Sequence, residues 1–578
     1  MSGLAALVFV ILASVPAGSV AAELPKPPAV WSDFDPNRGP WNEDVVAEVT
    51  RDGVYYRDSY ISAWVLGEEI RVFCKYAVKQ DRRRAPGLLN VHGWMGAPNI
   101  DRTYVDEGWA VLAHDYCGAT GQRKHYTRYP KPLAHANMDR KWGGSIRAHT
   151  PDRKSITDPT QTSDYVWYAI QRRVLSYLEQ QKQVDASRLA AKGYSYGGTI
   201  MWNLGTDPRI KAIVAYFGIG WNEYYRSKQV WMYEVPYREP QRTPGERLYL
   251  SAIAPQAHVP YIKAATLFLN GTNDHHGGHE RGLQSFKMFQ AGVPWSFAQQ
   301  ARGHHNTEKI GQNTRFWLRK HVLGADVFWP EHPQSRIRLD QAGIPELVVT
   351  PASPDRVKNV DVYYALKSPV SFNRSWRDTT SQHGAANTWI AKLPVIDVDD
   401  YVFAFANITY DTTVVRSTDF AAAIPSKLGT AVATDAPSDV IYTGGDGVGG
   451  WSHVVEVEGP GGSKGFRSTD RRRGSGTEQL NDPKWQAPVG TRLGFRFFCT
   501  QPLKLQFRAG DHWQAVIDIT AADDWQQMVV PAKMLINRHN GKPLTSWRNI
   551  GKIHFLPHAR SDITRVIFSD FRWLPVAR

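Results

Sequence analysis

The G-x-S-x-G pattern at residues 193–197, centred on Ser195, constrains the fold of this chain more than any other sequence feature. An apolar segment, residues 189–191, precedes it, and residues 198–204 are typical of the start of a helix. A serine on so sharp a strand-to-helix turn has a strained backbone, and the flanking glycines remove side chains that would crowd the turn. The pattern therefore predicts a serine hydroxyl presented at the end of a buried strand.

Two further polar groups follow predicted strands downstream of Ser195. Residues 264–269 form an apolar run that predicts a buried parallel strand, and Asp274 lies on the loop at its carboxyl end. Another strand is predicted around residues 295–298, followed by His304 and His305 at the expected start of a final helix. The order Ser, Asp, His differs from the orders of the two best-known serine protease folds. We expect Asp274 to orient a histidine that takes the proton of Ser195.

A loop upstream of Ser195 is expected to bind the substrate carbonyl oxygen. Residues 86–91 predict a buried strand, and the sequence His-Gly-Trp-Met-Gly follows at residues 92–96. The backbone N–H groups of Trp94 and Tyr196 are the expected oxyanion hole, which would bind the negative charge that develops on a substrate carbonyl oxygen.

Residues 46–323 resemble the α/β-hydrolase superfamily, most of all its dienelactone hydrolase, acetyl xylan esterase and prolyl oligopeptidase-like branch. The resemblance rests on the motifs at residues 92–96, 115–118, 193–197, 271–274 and 303–304. It implies a doubly wound, mostly parallel sheet, with Ser195 as nucleophile, Asp274 as acid and His304 as base. This sequence departs from the family in having two adjacent histidines. We prefer His304 because it directly follows Gly303, with His305 as the alternative.

The acyl transfer that this constellation implies requires no cofactor. His275, His276 and His279 have a spacing found in metal sites, so metal binding has to be considered. No cysteine and no H-E-x-x-H pattern accompanies them, and they fall where the acid loop already has a role. We therefore expect no metal site there.

The length of 578 residues predicts several domains. We expect a catalytic domain over residues 23–325, with insertions at 120–159 and 218–260 that form a lid or pocket walls. Alternating segments then predict an immunoglobulin- or fibronectin-like β-sandwich over 333–425 and a galactose-binding-like β-sandwich over 440–578. Six tryptophans in the last module leave two interpretations open, sugar binding or core packing; these are Trp451, Trp485, Trp513, Trp525, Trp547 and Trp573.

The beginning of the chain predicts export. Residues 4–15 are apolar and are followed by small residues up to Ala22, which together are typical of a signal peptide over residues 1–22. No later stretch reaches about 18 apolar residues, so we expect no membrane span and a secreted or periplasmic protein. The three cysteines, Cys74, Cys117 and Cys499, are too few and too far apart for a disulfide framework.

The net charge of +14 has two interpretations that the composition does not separate, an anionic polysaccharide or envelope as partner, or solubility alone. Nucleic acid is not expected as a partner, because the basic residues are scattered and no recognition motif accompanies them. The sequence leaves the oligomeric state open.

These features together favour an exported serine carboxylesterase that acts on acylated carbohydrate such as an acetylated polysaccharide. A serine peptidase of the prolyl oligopeptidase-like branch is the first alternative. That branch usually carries its accessory β domain before the catalytic domain, whereas here it follows. The second alternative is a catalytically inactive polysaccharide-binding protein.

Overall fold

The computed structural model describes residues 23–120, 123–138, 154–218, 242–275, 283–368 and 371–575. The predicted signal peptide lies outside these residues, as do residues 139–153 and 219–241 of the two predicted insertions. His276 and His279 lie outside them too.

The first module is built on a sheet of nine described strands. Its strands are β1 (Asp44–Arg51), β2 (Val54–Val65), β3 (Glu68–Lys79), β4 (Ala85–Val91), β5 (Ala110–His114), β6 (Val184–Tyr194), β7 (Ile210–Tyr216), β8 (Ala265–Gly271) and β9 (Trp295–Gln300). Every residue of β4, β5 and β8 is buried. Strands covered on both faces need continuous apolar runs, which explains why these strands are apparent in the sequence.

The strand order is β1-β2-β3-β5-β4-β6-β7-β8-β9. The strands from β5 to β9 in this order pair in parallel, while β1, β2 and β3 form antiparallel hairpins at one edge. Because β4 lies between β5 and β6, the order reverses there, and the carboxyl ends of the parallel strands meet at one edge of the sheet.

Helices cover the faces of this sheet. The described α-helices are α1 (Pro27–Trp31), α2 (Arg102–Asp106), α3 (Ser163–Glu179), α4 (Tyr196–Leu204), α5 (Pro244–Ala252), α6 (Pro255–His258) and α7 (Asn313–His321). Thr162 caps α3, because its side chain accepts a hydrogen bond from the backbone N–H of Tyr165. The final helix α7 begins at Asn313, so the two histidines lie on a loop before it and not at its start.

A β-sandwich follows the first module. Its strands are β10 (Gln334–Leu339), β11 (Pro345–Thr350), β12 (Val357–Leu366), β13 (Arg377–Thr379), β14 (Ser381–His383), β15 (Trp389–Lys392), β16 (Val402–Tyr410), β17 (Val415–Ser417) and β18 (Ala421–Ala423). They form a sheet of order β10-β11-β15-β14 and another of order β13-β12-β16-β17, with β18 also on β16. Apolar side chains of both sheets share one core.

The third module is a second antiparallel β-sandwich. Its strands are β19 (Val440–Tyr442), β20 (Trp451–Ser452), β21 (Val454–Glu458), β22 (Lys464–Ser468), β23 (Ser475–Thr477), β24 (Thr491–Phe498), β25 (Leu503–Ala509), β26 (Trp513–Ile519), β27 (Gln526–Val530), β28 (Ile536–Asn537), β29 (Ile553–Pro557) and β30 (Ile567–Pro575). Phenylalanines such as Phe495, Phe555 and Phe568 join its two sheets in one core. The predicted fold class, an α/β sheet followed by antiparallel sandwiches, is confirmed.

The second module covers the outer edge of the first sheet. The backbone N–H of Gln299 in β9 donates to the Ser417 hydroxyl at 2.8 Å, and the Gln299 carbonyl accepts from the Asn407 amide at 2.9 Å. Asn313 at the start of α7 makes two further hydrogen bonds to the backbone of Val415. Side chains of the second module thus satisfy backbone groups that an edge strand would otherwise expose to solvent.

Candidate active site

Loops at the carboxyl ends of β4, β6, β8 and β9 carry the predicted site residues. Ser195 directly follows β6, while Asp274 and the two histidines follow β8 and β9. Ligands of open α/β sheets bind in the crevice at this edge. The topology therefore accounts for the convergence of residues that are far apart in the sequence.

Ser195 has a strained backbone, with φ 58° and ψ −120°. Such a conformation costs about 1–3 kcal/mol in a non-glycine residue and persists only where the surroundings impose it. Here the N–H of Ser195 donates to the Tyr216 carbonyl of the next strand at 2.8 Å. A Cβ atom on Gly197 would lie 2.6 Å from the Val91 carbonyl oxygen and closer still to that of His92, so only glycine fits at that position. The sharp turn at Ser195 that the sequence predicts, which we call the elbow, is thus set by close backbone contact with the end of β4.

Asp274 forms its imidazole contact with His305. The Nδ1 atom of His305 lies 2.6 Å from Oδ2 of Asp274, whose side chain is 1% exposed. A carboxylate can only accept a hydrogen bond, so Nδ1 of His305 carries the proton and the basic lone pair is on Nε2. The ring of Phe217 stacks on His305 with centroids 4.3 Å apart. Asp274 and Phe217 together fix the orientation of this imidazole.

The structure does not bring His304, the histidine preferred from the sequence, to Asp274, because that imidazole has other partners. Its Nδ1 contacts the carbonyl of Asn273 at 3.0 Å, and its Nε2 lies 3.3 Å from the Glu478 carboxylate of the third module. The hydrogen bond to Glu478 raises the pKa of His304, although burial opposes this. The alternative named from the sequence, His305, is the histidine that the structure brings to Asp274.

The loop that carries Asp274 (the acid loop) and the loop that carries His305 (the base loop) pack against each other through their backbones. The N–H of Asn273 donates to the Gly303 carbonyl at 2.8 Å, and that of Thr272 donates to Gln300 at 3.0 Å. A Cβ atom on Gly271 would collide with the backbone of Gly303 and His304. Movement of one loop therefore moves the other.

The loop expected to complete an oxyanion hole, residues 92–96 (the oxyanion loop), lies beside the elbow. A Cβ atom on Gly93 would be 3.0 Å from Cβ of Ser195, and the N–H of Gly96 donates to the Gly93 carbonyl at 2.9 Å, which closes a tight turn. The rings of Trp94 and Tyr196 meet edge to face at 5.0 Å. Tyr196 opens α4, where the first backbone N–H groups have no partner within the helix and favour negative charge.

A buried hydrogen-bond network centred on Asp115 lies next to His92 of this loop. Asp115, fully buried after β5, accepts hydrogen bonds from Arg123 at 3.0 Å and from the backbone N–H of Thr127 at 2.7 Å. His92 lies beside it, with Nε2 at 3.5 Å from Oδ1 of Asp115. Burial alone would raise the pKa of Asp115, but His92, Arg123 and Thr127 lower it below its ordinary value. The Asp115 carboxylate thus fixes the segment at residues 123–127 next to the oxyanion loop.

The described residues contain one group of possible metal ligands, and it coincides with this site. Donor atoms of Asp274, His275 and His305 lie within 4.8 Å of one another. Asp274 and His305 already bond to each other. His276 and His279 belong to the stretch that the structure does not describe.

Several residues that support the site were not identified from the sequence. Phe217 orients His305, Asn273 and Arg302 anchor the two loops, and Glu478 reaches His304 from the third module. Only Phe217 has a local context that could have indicated it, since it directly follows β7, the strand beside β6. The others act through contacts between modules, for which a single sequence has no periodic signal.

One protein family matches the part of the chain that carries these residues. The prolyl oligopeptidase family matches residues 171–321, which include the elbow and the loops of Asp274 and His305. The first module has the α/β-hydrolase fold. The family match over residues 171–321 supports a serine hydrolase.

Several solved structures are similar to this α/β-hydrolase at low sequence identity. An acetyl xylan esterase from a Paenibacillus species is 17% identical, with a TM-score of 0.39 over 50% of this chain and 91% of that one. Acetyl xylan esterase 1 from a Thermoanaerobacterium species is 15% identical, with a TM-score of 0.38 over 51% and 94% of the chains. A dienelactone hydrolase from Klebsiella pneumoniae, titled as putative, is 16% identical, with a TM-score of 0.29 over 46% and 90%. No curated protein matches the chain.

Proposed function

We propose that this α/β-hydrolase cleaves carboxylic esters, with Ser195 as nucleophile, His305 as general base and Asp274 as the acid that orients the base. The observation that carries the proposal is the 2.6 Å contact between His305 and the buried Asp274, on loops at the sheet edge where Ser195 is held in a strained turn. Base, orienting acid and activated hydroxyl are the parts required for covalent acyl transfer.

The reaction proceeds in two halves. Nε2 of His305 takes the proton of Ser195 as the hydroxyl attacks the ester carbonyl, and the imidazolium then protonates the leaving alcohol. Water attacks the acyl-enzyme by the same route, with His305 again as base. Asp274 accepts the hydrogen bond from Nδ1–H and so stabilises the imidazolium. The backbone N–H groups of Trp94 and Tyr196 bind the oxyanion in both halves, and loss of one such donor costs about 3 kcal/mol in kcat.

Acylated carbohydrate is the substrate class that we propose. The support is the resemblance of the catalytic sequence motifs to the acetyl xylan esterase branch and the tryptophan-rich third module. Only some of these tryptophans are accessible to a sugar, because Trp451, Trp547 and Trp573 are buried in the core of that module. Sugar binding there would depend on Trp485, Trp513 and Trp525, which are only partly buried.

The proposal is tested by assays of the full chain and Ser195→Ala on p-nitrophenyl acetate and acetylated xylan. The substitution is expected to remove nearly all turnover. His305→Ala should have a comparable effect, because it removes the base, and His304→Ala should retain much more activity. Equal activity of the wild type and Ser195→Ala would overturn the proposed chemistry. A greater loss in His304→Ala than in His305→Ala would overturn the assignment of the base.

Peptide cleavage is the second candidate function, favoured by the match to the prolyl oligopeptidase family over residues 171–321. Amides and esters share the acyl-enzyme route, so the same residues would serve. Cleavage of a proline p-nitroanilide without cleavage of either ester would make a peptidase the better assignment.

We also propose that the protein is exported, supported by the apolar run at residues 4–15 and the small residues up to Ala22. None of the described helices is long and apolar enough to cross a membrane. Expression of the full chain in a bacterial host, followed by amino-terminal sequencing of the exported fraction, is expected to find a start at residue 23. Retention of uncleaved protein in the cytoplasm would refute the export proposal.

A further inference from the structure

Residues of the second module hold the two loops that carry Asp274 and His305. We call residues 372–378, between β12 and the middle of β13, the clamp segment. The side-chain amide of Asn273, next to Asp274, donates to the carbonyls of Phe372 at 3.2 Å and Arg374 at 2.7 Å. Asn273 is 4% exposed, so these bonds are made away from water.

The base loop is attached to the same segment. Arg302, three residues before His305, donates from Nε to the Trp376 carbonyl at 2.9 Å and also pairs with the carboxylate of Asp378. The acid loop and the base loop are thus bonded to each other and to one clamp segment. This segment is in turn bonded to the third module.

Arg377 joins the clamp segment to the third module. Its guanidinium donates to both oxygens of Asp482, with Nε at 2.6 Å, and to Asp435 at 2.6 Å. The side chain of Arg377 is 8% exposed and that of Asp482 is fully buried. Burial alone would lower the pKa of Arg377, but the hydrogen bonds to Asp482 raise it, so the guanidinium remains charged. A buried, doubly bonded ion pair resists displacement because either charge alone would be left unpaired.

Glu478 makes a second contact from the same turn of the third module. Glu478 and Asp482 flank a short 3-10 helix, Gln479–Asn481. The Glu478 carboxylate faces Nε2 of His304 at 3.3 Å, while Nδ1 of His304 faces the carbonyl of Asn273 at 3.0 Å. His304 therefore contacts both the third module and the acid loop, one residue away from His305.

We propose that Glu478 is a positioning residue for the reaction, which acts through His304 to hold the loop that presents His305 to Asp274. The third module is then part of the catalytic apparatus and not only an appended binding module. This inference rests on the proposed function, since it assigns a role in presenting the base.

The test is Glu478→Gln in the full chain, with Glu456→Gln as its matched control. Glu456 lies in the same module, on the hairpin of β21 and β22, and pairs there with Lys464 at 2.8 Å. We expect Glu478→Gln to lower kcat about tenfold with little change in KM, because a base displaced by a fraction of an ångström loses that order of rate. Glu456→Gln should match the wild type, and both variants should keep its thermal unfolding midpoint within a few degrees.

A double-mutant comparison separates positioning from a general structural effect. If Glu478 acts through His304, then His304→Gln and the double variant His304→Gln, Glu478→Gln should have the same kcat. Additive losses, or a kcat of Glu478→Gln within twofold of the wild type, would overturn the inference.

The two proposals can fail separately. Wild-type esterase activity that is lost in Ser195→Ala but unchanged in Glu478→Gln refutes only the role of Glu478. Activity that survives Ser195→Ala refutes the proposed function, whatever the result for Glu478.

Discussion

Replacement of Gly197 by alanine is the most direct perturbation of the elbow. The added Cβ would lie 2.6 Å from the Val91 carbonyl oxygen, whereas real Cβ contacts are essentially never below 3.0 Å and are ordinary from 3.4 Å. The elbow must therefore retreat by at least about 0.4–0.8 Å from the Val91 oxygen, and farther from the still closer His92 oxygen; both are backbone atoms that no rotamer change can move. Such a shift separates Ser195 and Tyr196 from the oxyanion loop.

The expected loss in kcat is about 10-fold to 100-fold, since a misplacement of about 1 Å can cost about 100-fold. This corresponds to about 1.4–2.7 kcal/mol of transition-state stabilisation. The assay is turnover of p-nitrophenyl acetate, with circular dichroism to verify the fold.

Gly449→Ala is the matched control, because a Cβ atom at that position would meet nothing within 4 Å. The control should keep wild-type turnover. A Gly197→Ala variant with wild-type kcat would refute the argument that close packing against β4 positions the nucleophile.

Two further predictions concern Asp274 and the buried His258. Asp274→Asn should lower kcat about 10⁴-fold while the fold persists, because an amide no longer holds the required imidazole tautomer; a loss below tenfold in the ester assay would contradict it. Burial lowers the pKa of His258 to about 3, and its Nε2 faces the Asn203 amide at 2.8 Å. The folded state therefore favours the neutral ring, and the associated stability, present above about pH 6.5, is lost as the pH falls toward 3. Thermal unfolding between pH 7 and pH 4 should show a smaller decline for His258→Asn than for the wild type, and equal declines would contradict the assignment.

The parallel sheet was predictable because each of its buried strands leaves a signal in its own short stretch of sequence. The strands before the site loops are buried on both faces, so each appears as a short apolar run, and β4, β6, β8 and β9 all lie where the sequence predicts strands. The order of Ser195 and Asp274 along the chain then follows from the alternation of strands and helices.

The choice between His304 and His305 could not be made in the same way. The loop between β9 and α7 turns at Arg302, which has φ 57°. The two histidines after it have different partners, Asp274 for His305 and Glu478 for His304. Adjacency to Gly303 carries no information on which imidazole faces Asp274. Glu478 was missed for a related reason, since its partner belongs to another module and no local pattern connects the two.

The hydrogen bonds from the second module to the backbone of β9 have a consequence for biosynthesis. The hydrolase module leaves the ribosome before Asn407 and Ser417, which later satisfy the backbone of Gln299, have been translated. Until the second module docks, the nascent chain presents an open strand that can template pairing with another copy. A fragment that ends at residue 325 should therefore aggregate, even though it contains every residue assigned to the chemistry.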